Sequence, residues 1–259
     1  MKYTFASHTD VGIRKSTNQD SFCIREAETD KGTVFFALLC DGMGGLAKGE
    51  VASATLIRVW SEWFEKDLPH ILAGTGILEE IKASWTRLMV SENYRIGQYG
   101  IQHNFNLGST LTGILVLEGG NYIIGHVGDT RCYRITDDGV MQLTQDQTLV
   151  AREVEAGRLT PEEAAVDPRR SILLQCIGAS SSVTPSFYFG EVKAGENYML
   201  CCDGFRHLIT EEEFFEALRP DANPDEQTME EHLRTLVELN KQRRETDNIS
   251  AVLIGVRGD

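Results

Sequence analysis

The chain has 259 residues, 41% of them hydrophobic, which is enough for a large core in one domain or two small ones. Its formal net charge of −14 argues against nucleic acid or an anionic membrane as a partner, because phosphate groups attract basic surfaces. The six cysteines form no C-x-x-C pair and no zinc-ligand spacing, and the N-terminus has no apolar signal segment, so we expect a reduced, cytoplasmic protein.

The hydrophobic pattern of the first hundred residues predicts three strands followed by two long helices. Strands are expected at 3–6, 21–26 and 34–40, and the last should be buried on both faces because its apolar residues do not alternate. Apolar residues then recur at spacings of three and four, which predicts amphipathic helices at 48–67 and 77–102.

The next part of the chain is predicted to be β-rich. Strands are expected at 109–117, 122–127, 131–135 and 140–143, joined by short turns that contain Gly and Asp. Connections this short favour antiparallel neighbours, so we expect a single meander.

Capping signals and apolar runs predict the remaining elements. Helices are expected at 148–156, from 160, at 210–218 and at 226–243, and strands at 186–189, 197–202 and 249–256. No linker or repeat interrupts the chain, so we expect one domain over residues 1–259. Its class should be α+β, with antiparallel sheets covered by helices and with the first and last strands pairing centrally.

The most informative stretch is an apolar run that ends in Asp41-Gly42-Met43-Gly44-Gly45. A buried strand would hold the Asp in a fixed place. The glycines would let the backbone turn tightly and bring its carbonyls close to a bound group. The alternative is a solvated Asp in a Gly-rich turn.

Four further aspartates stand at the ends of apolar strands: Asp20, Asp129, Asp203 and Asp247. A lone Asp beside a strand is usually a turn residue, but five in one sandwich can converge at one edge. Such carboxylates would raise each other's pKa unless cations neutralise them, and oxygen ligands suit Mg²⁺ or Mn²⁺. Since two such ions can activate water and clamp a phosphoryl group, the residues predict metal-assisted hydrolysis of phosphate esters.

Seven short motifs follow one another along the chain. They are Asn18-Gln19-Asp20, Asp41-Gly42-Met43-Gly44-Gly45, Gly108-Ser109-Thr110, Gly128-Asp129-Thr130-Arg131, Leu143-Thr144-Gln145-Asp146, Asp203-Gly204-Phe205 and Asp247-Asn248-Ile249. Together they resemble the metal-dependent protein phosphatase (PPM) family, protein phosphatase type 2C, in its short bacterial stand-alone form. The resemblance covers about residues 3–256. It implies a four-layer αββα sandwich, with two central antiparallel sheets, that hydrolyses phosphoserine and phosphothreonine in proteins with Mn²⁺ or Mg²⁺.

The resemblance also implies roles for single residues. Asp41 would bridge two metal ions, and the carbonyl of Gly42 would complete one of them. Asp203 and Asp247 would hold the other ion, while Asp20 would act largely through bound water. The four aspartates are therefore the expected catalytic residues. The implied mechanism is in-line attack by a metal-bridging water, without a phosphoenzyme.

Three further positions bear on the details of this expected site. Asp129 matches a residue that helps Asp203 bind a third, looser ion, which makes two to three ions per chain. His207 is expected to be a capping or surface residue, with a metal ligand as the alternative. Met43 stands where animal members carry a proposed general acid, so the general acid is left unassigned.

The residues expected to bind the substrate phosphate differ from the family pattern. The family usually has an Arg five residues before the position of Asp20, whereas this chain has Lys15 there and Arg14 one place earlier. We favour Arg14, because Lys supplies charge but not the two-pronged contact of Arg; Lys15 as a point charge is the alternative. Residues about 147–179 correspond to the flap beside the active site. Its arginines at 152, 158, 169 and 170 are expected to form a solvated face, with contact to a phosphopeptide or a partner protein as the alternative.

The leading hypothesis is a protein serine/threonine phosphatase that opposes a kinase of the same cell. It would act as a monomer on phosphorylated proteins, with no nucleic-acid or membrane partner. One alternative is a metal-dependent phosphatase of small phosphate esters. A second is a pseudophosphatase that binds phosphoproteins without turnover, which is disfavoured because every metal-binding Asp of the family has a match here.

Overall fold

The computed structural model describes residues 1–30, 32–44 and 48–258. The strands are β1 (Lys2–Asp10), β2 (Asp20–Thr29), β3 (Gly32–Gly44), β4 (Leu107–Ser109), β5 (Leu111–Val116), β6 (Asn121–Val127), β7 (Arg131–Thr136), β8 (Gly139–Gln142), β9 (Ser186–Glu191), β10 (Asn197–Cys201) and β11 (Ile249–Arg257). The helices are α1 (Gly49–Lys66), α2 (Leu68–Leu72), α3 (Ile77–His103), α4 (Leu149–Glu155), α5 (Pro161–Val166), α6 (Asp203–Arg206), α7 (Glu211–Leu218) and α8 (Glu226–Gln242). Within the described ranges, none of these helices combines the length and apolar character needed to span a membrane.

Two antiparallel sheets form the centre of the molecule. One has the strand order β1-β11-β10-β7-β8; the other has the order β2-β3-β5-β6-β9, with β4 paired to the end of β3. The first and last strands pair as predicted, from Lys2 opposite Arg257 to Asp10 opposite Ile249. They are not both central, however, because β11, buried along almost its whole length, takes the inner position and the half-exposed β1 lies at the edge.

Strand β3 is buried on both faces, as predicted, because alternate residues enter two different cores. Phe35, Ala37 and Leu39 pack between the two sheets. Phe36 and Leu38 pack on the opposite face, beneath α1 and α3. Because α7 and α8 cover the outer face of the other sheet, the layers run helix, sheet, sheet, helix, and the predicted αββα sandwich is confirmed.

The helix predictions at 48–67 and 77–102 are confirmed by α1 and α3 to within a residue or two. The two predicted capping boxes are also present. The hydroxyl of Thr160 accepts from the backbone N–H of Glu163, whose carboxylate accepts from the N–H of Thr160, and Thr210 and Glu213 do the same.

The prediction of one meander over 109–143 is wrong at residues 128–130. Strands β5 and β6 pair with each other, and β7 pairs with β8, but β6 and β7 belong to different sheets. Gly128 allows this crossing because its φ of +110° suits glycine, and a Cβ there would lie 2.6 Å from Cγ2 of Thr110. The crossing leaves Asp129 between the ends of the two sheets.

The prediction of a tight turn directly after Asp41 is also wrong. Strand β3 continues to Gly44, and its last residues pair with β4, Gly42 lying opposite Ser109. The partner strand comes from more than sixty positions along the chain, so no local pattern could signal it. Gly45, the last residue of the predicted turn, lies outside the described residues.

Candidate metal centre and active site

Asp20 and Asp41 lie directly opposite each other across β2 and β3. Directly opposed residues of an antiparallel pair point to the same face of the sheet. Asp41 continues the series of alternate residues, Leu39 among them, that face the space between the sheets. Both carboxylates are therefore directed to the inter-sheet space at one end of the sandwich.

The backbone of Asp41 is held by the Gly108-Ser109-Thr110 motif, which runs from β4 to the residue before β5. The N–H of Thr110 donates to the Asp41 carbonyl at 2.9 Å, and the hydroxyl of Ser109 donates to the same oxygen at 3.0 Å. The Asp41 N–H in turn donates to Oγ1 of Thr110 at 3.0 Å. These three hydrogen bonds show why the motif contains Ser and Thr: their hydroxyl groups hold the backbone of Asp41 in place.

Gly42 lies where two other backbone segments approach the strand. A Cβ at this position would lie 2.3 Å from the carbonyl oxygen of Gly49 and 2.5 Å from that of Gln19. Its N–H donates to the same Gln19 oxygen at 3.1 Å. Only glycine fits this site, and its packing fixes the peptide next to Asp41.

Asp203 and Asp247 come from the other sheet. Asp203 opens α6 two residues after the end of β10, and Asp247 comes two residues before the start of β11. The two segments are in close contact, since a Cβ at Gly204 would lie 2.2 Å from the carbonyl oxygen of Asn248. The fold thus brings the ends of β10 and β11 together opposite the ends of β2 and β3.

Asn248 connects this end of the sandwich to the loop that precedes β2. Its side-chain oxygen accepts from the N–H of Gln19 at 2.9 Å, and its amide group donates to the carbonyls of Val11 and Thr17 at 2.9 and 3.2 Å. The loop that carries Arg14 and Lys15 is therefore tethered to the residue that follows Asp247.

The carboxylates perturb one another. Burial, together with the charges of Asp203 and Asp247, raises the pKa of Asp20 to about 6; the nearby Ser250 hydroxyl and Cys202 thiol lower it only in part. Burial, and then the charge of Asp20, raises the pKa of Asp41 well above its ordinary value, although this side chain keeps some surface open to the cleft.

The residues fit hard divalent cations. Both carboxylate oxygens of Asp20 are buried and have no hydrogen-bond partner among the described residues. In those ranges, no three His, Cys, Asp or Glu side chains are placed so that they could by themselves hold a metal ion. An open set of carboxylates suits ions that keep several water ligands, as Mg²⁺ and Mn²⁺ do, better than a closed protein cage.

Lys15 and Arg14 are placed very differently. Nζ of Lys15 lies 2.8 Å from Oδ1 of Asp247. Although burial alone would lower the pKa of Lys15, its hydrogen bond to Asp247 and the charges of Asp41 and Asp203 raise it. Both side chains are exposed, but Arg14, which the sequence favoured, has no ion pair among the described residues. Lys15, and not Arg14, therefore contacts the aspartate cluster, through Asp247.

A family model described as "Protein phosphatase 2C" matches residues 6–238 of this chain. The chain belongs to this family. A Streptococcus pyogenes protein named as protein phosphatase 2C-type is 32% identical over 248 residues, which are 95% of this chain and 94% of that protein.

Solved structures agree with the family assignment. The S. agalactiae serine/threonine phosphatase superposes with a TM-score of 0.80 at 29% identity, covering 99% of this chain and all of that one. The catalytic domain of the serine/threonine protein phosphatase PstP superposes with a TM-score of 0.78 at 28% identity, covering 99% of both chains. That PstP structure contains two manganese ions.

The protein phosphatase 2C site contains an ion-pair network to which sequence reasoning gave no role. Arg131 donates to both oxygens of Asp146, at 2.8 and 2.7 Å, and Arg206 lies against both Asp146 and Asp129. Arg131 and Asp146 both belong to the recognised motifs, so their pairing could have been proposed from the sequence. The position of Arg206 carried no such signal.

His207 is not the surface residue that was expected. Its side chain is 16% exposed, with Nε2 at 3.6 Å from Oδ2 of Asp203 and Nδ1 at 3.6 Å from Oε2 of Glu245. In this protein phosphatase 2C, the ring of His207 thus lies between the carboxylates of Asp203 and Glu245.

Two clefts of this protein phosphatase 2C share Asp146 in their linings, and both are bordered by the region predicted as the flap. One, of about 820 Å³, lies beside Met43 and is also lined by Arg152 and residues 180–182. The other, of about 640 Å³, lies between α4 and α5 on one side and Arg206 on the other. Of the remaining flap arginines, Arg158 and Arg169 form surface ion pairs, as a solvated face would.

Proposed function

We propose that this chain is a metal-dependent protein serine/threonine phosphatase. The observation that carries the proposal is the convergence of Asp20, Asp41, Asp203 and Asp247 at one end of the sandwich. Burial and the neighbouring carboxylates raise the pKa of Asp20 and Asp41, so positive charge bound there would be favourable. The family model and the phosphatases among the relatives support the same activity.

The proposed cofactors are Mn²⁺ or Mg²⁺, two to three ions per chain. Asp41 and the Gly42 carbonyl would hold one ion, Asp203 and Asp247 would hold another, and Asp20 would contribute beside them. The two manganese ions in the PstP catalytic domain support this assignment. When bound, such a pair of ions activates water and offsets the charge of a phosphoryl group.

The chain's own residues would hold and orient the reactants. Ser109 and Thr110 keep Asp41 in place through its backbone, which limits reorganisation during the reaction. Lys15, tethered near Asp247, would exchange this ion pair for one with the substrate phosphate. Met43 provides no acidic proton, so protonation of the leaving alcohol falls to another group.

The proposed substrates are phosphorylated proteins. The cleft of about 820 Å³ next to Met43 gives room for the chain that flanks a phosphorylated residue. We further propose one catalytic domain over residues 1–259 with a flap at about 147–179, a monomeric state, a cytoplasmic location and a kinase of the same cell as the opposing enzyme.

The test is phosphate release from a phosphothreonine peptide and from para-nitrophenyl phosphate, with Mn²⁺ and with EDTA. We expect turnover of both substrates with Mn²⁺ and none with EDTA. Asp41→Asn and Asp203→Asn should lower kcat at least about a hundredfold, since each removes charge from the metal site. Asp138→Asn, in an exposed turn, is the matched control.

Two results would count against the proposal. Activity that survives EDTA would exclude the metal mechanism. Hydrolysis of para-nitrophenyl phosphate without any action on phosphopeptides would favour a phosphatase of small esters.

A further inference from the structure

Arg206 carries a buried guanidinium group at the end of α6, three residues after Asp203. Only 13% of its side chain is exposed. Its Nη2 lies 3.2 Å from the backbone oxygen of Asp129, 3.9 Å from Oδ2 of Asp129 and 3.5 Å from Oδ2 of Asp146. Its Nε has no hydrogen-bond partner within the described ranges. A charge buried this deeply is retained only when opposite charge lies close to it.

Asp146 is already neutralised by another residue. Arg131 donates from Nε and Nη2 to its two carboxylate oxygens at 2.8 and 2.7 Å, a two-pronged pair that is the strongest arrangement for these groups. The charge of Arg206 is therefore shared between Asp146 and Asp129. It lowers the pKa of Asp129, which burial and the charge of Asp203 raise to about 7. Two guanidinium groups and two carboxylates form a set that is neutral without any metal ion.

The balance of charge differs at the other carboxylates. Among the described residues, Lys15 forms an ion pair with Asp247, and the imidazole of His207 lies 3.6 Å from Asp203. Asp20 and Asp41 have no basic partner among the recorded ion pairs of these ranges. Asp129 thus has a buried guanidinium group at close range, which Asp20 and Asp41 lack.

We propose that the guanidinium of Arg206 takes the place of a third metal ion beside Asp129, so that this chain binds two divalent cations and rejects a third. A fixed positive charge against Asp129 competes for its oxygens and repels an incoming ion. The inference rests on the proposed function, because it assumes the two-metal centre formed by the other carboxylates.

The test is the number of Mn²⁺ ions bound to the full, metal-stripped chain, measured by equilibrium dialysis with elemental analysis and by Mn²⁺ paramagnetic resonance up to millimolar Mn²⁺. We expect the wild type to saturate at two ions. Arg206→Met keeps the apolar stem and removes the charge, so it should saturate at three ions over the same range of Mn²⁺ concentration. Arg206→Lys, which keeps the charge, should stay at two.

Two further variants identify the ligand and control for the loss of an arginine. Asp129→Asn should abolish the third ion of the Arg206→Met variant and leave the count of the wild type at two. Arg134→Met removes a guanidinium that pairs with Glu196 elsewhere on β7, and it should also leave the count at two.

Each result bears on the inference. Three ions on the wild type, reduced to two by Asp129→Asn, would overturn it, as would two ions on a folded Arg206→Met variant. If circular dichroism shows that Arg206→Met does not fold, the test rests on the wild type and on Asp129→Asn. The inference requires each of them to bind two Mn²⁺ ions. Fewer than two ions on the wild type would refute the two-metal proposal itself, and this inference with it.

Discussion

The substitution Asp20→Asn tests whether the charge of Asp20 lowers the stability of the folded protein when no metal ion is bound. The carboxylate of Asp20 is buried, lacks hydrogen-bond partners among the described residues and has a pKa raised from 3.8 to about 6. A rise of about two pKa units corresponds to about 3 kcal/mol in favour of the protonated form. Without a metal ion, the charged Asp20 therefore destabilises the folded protein.

The sign of the pH dependence follows from this pKa. Because the folded state holds the proton of Asp20 more tightly than the unfolded state, the penalty is absent below pH 3.8. It develops as the pH rises and is complete above about pH 6. Asp20→Asn removes the charge but leaves a buried polar amide, so the gain should be smaller than the full penalty.

We expect Asp20→Asn to raise the free energy of unfolding by about 2 kcal/mol in EDTA near pH 7.5 and to change it little near pH 4. Urea unfolding followed by tryptophan fluorescence measures this, because Trp60, Trp63 and Trp85 are all buried. Saturating Mn²⁺ should reverse the order of stability, since a ligand stabilises the folded state that binds it more tightly. Asp138→Asn, on an exposed turn, is the control.

Two outcomes would refute this reasoning. One is an Asp20→Asn variant that is less stable than the wild type in EDTA near neutral pH. The other is an equal gain near pH 4, which would show that the charge of Asp20 is not the cause.

Three further substitutions test other parts of the site. Lys15→Ala should raise KM for a phosphopeptide about tenfold, because it removes a charged phosphate contact, while Arg14→Ala should change KM less than about twofold; the reverse order would assign the grip to Arg14. Asp146→Asn should lower the free energy of unfolding by about 3 kcal/mol in urea, because it leaves two buried guanidinium groups without a full partner; a loss under about 1 kcal/mol would contradict a buried pair. Gly42→Ala should lower the stability by about 2 kcal/mol or more, because its Cβ would meet two backbone carbonyls, while Gly74→Ala, with its nearest contact at 3.3 Å, should be close to neutral. An equal effect of the two alanines in thermal unfolding would show that the close packing at Gly42 is not decisive.

Much of the fold could be predicted because it depends on local patterns. The unbroken apolar run of β3 indicated burial on both faces, and alternate residues do enter two cores. The three- and four-residue spacings of α1 and α3 and the capping boxes at Thr160 and Thr210 are local in the same sense. The order of the motifs indicated the family, and the family model supports it.

What the local pattern could not determine is which segments meet. The short turn around Asp129 looks the same whether it joins neighbours in one sheet or crosses between two sheets, and the crossing is decided by the distant strands that pair with β6 and β7. The continuation of β3 past Asp41 likewise depends on β4.

By itself, the sequence determined the class of fold, the family and the set of acidic residues, because residue types, periodicity and motif order are properties of the chain alone. Only the tertiary structure decided that Lys15, rather than Arg14, lies against Asp247, and that Arg206 lies against Asp129. Both contacts join segments that are far apart in the chain. Their energy comes from charge and burial, and these exist only once the two sheets have packed.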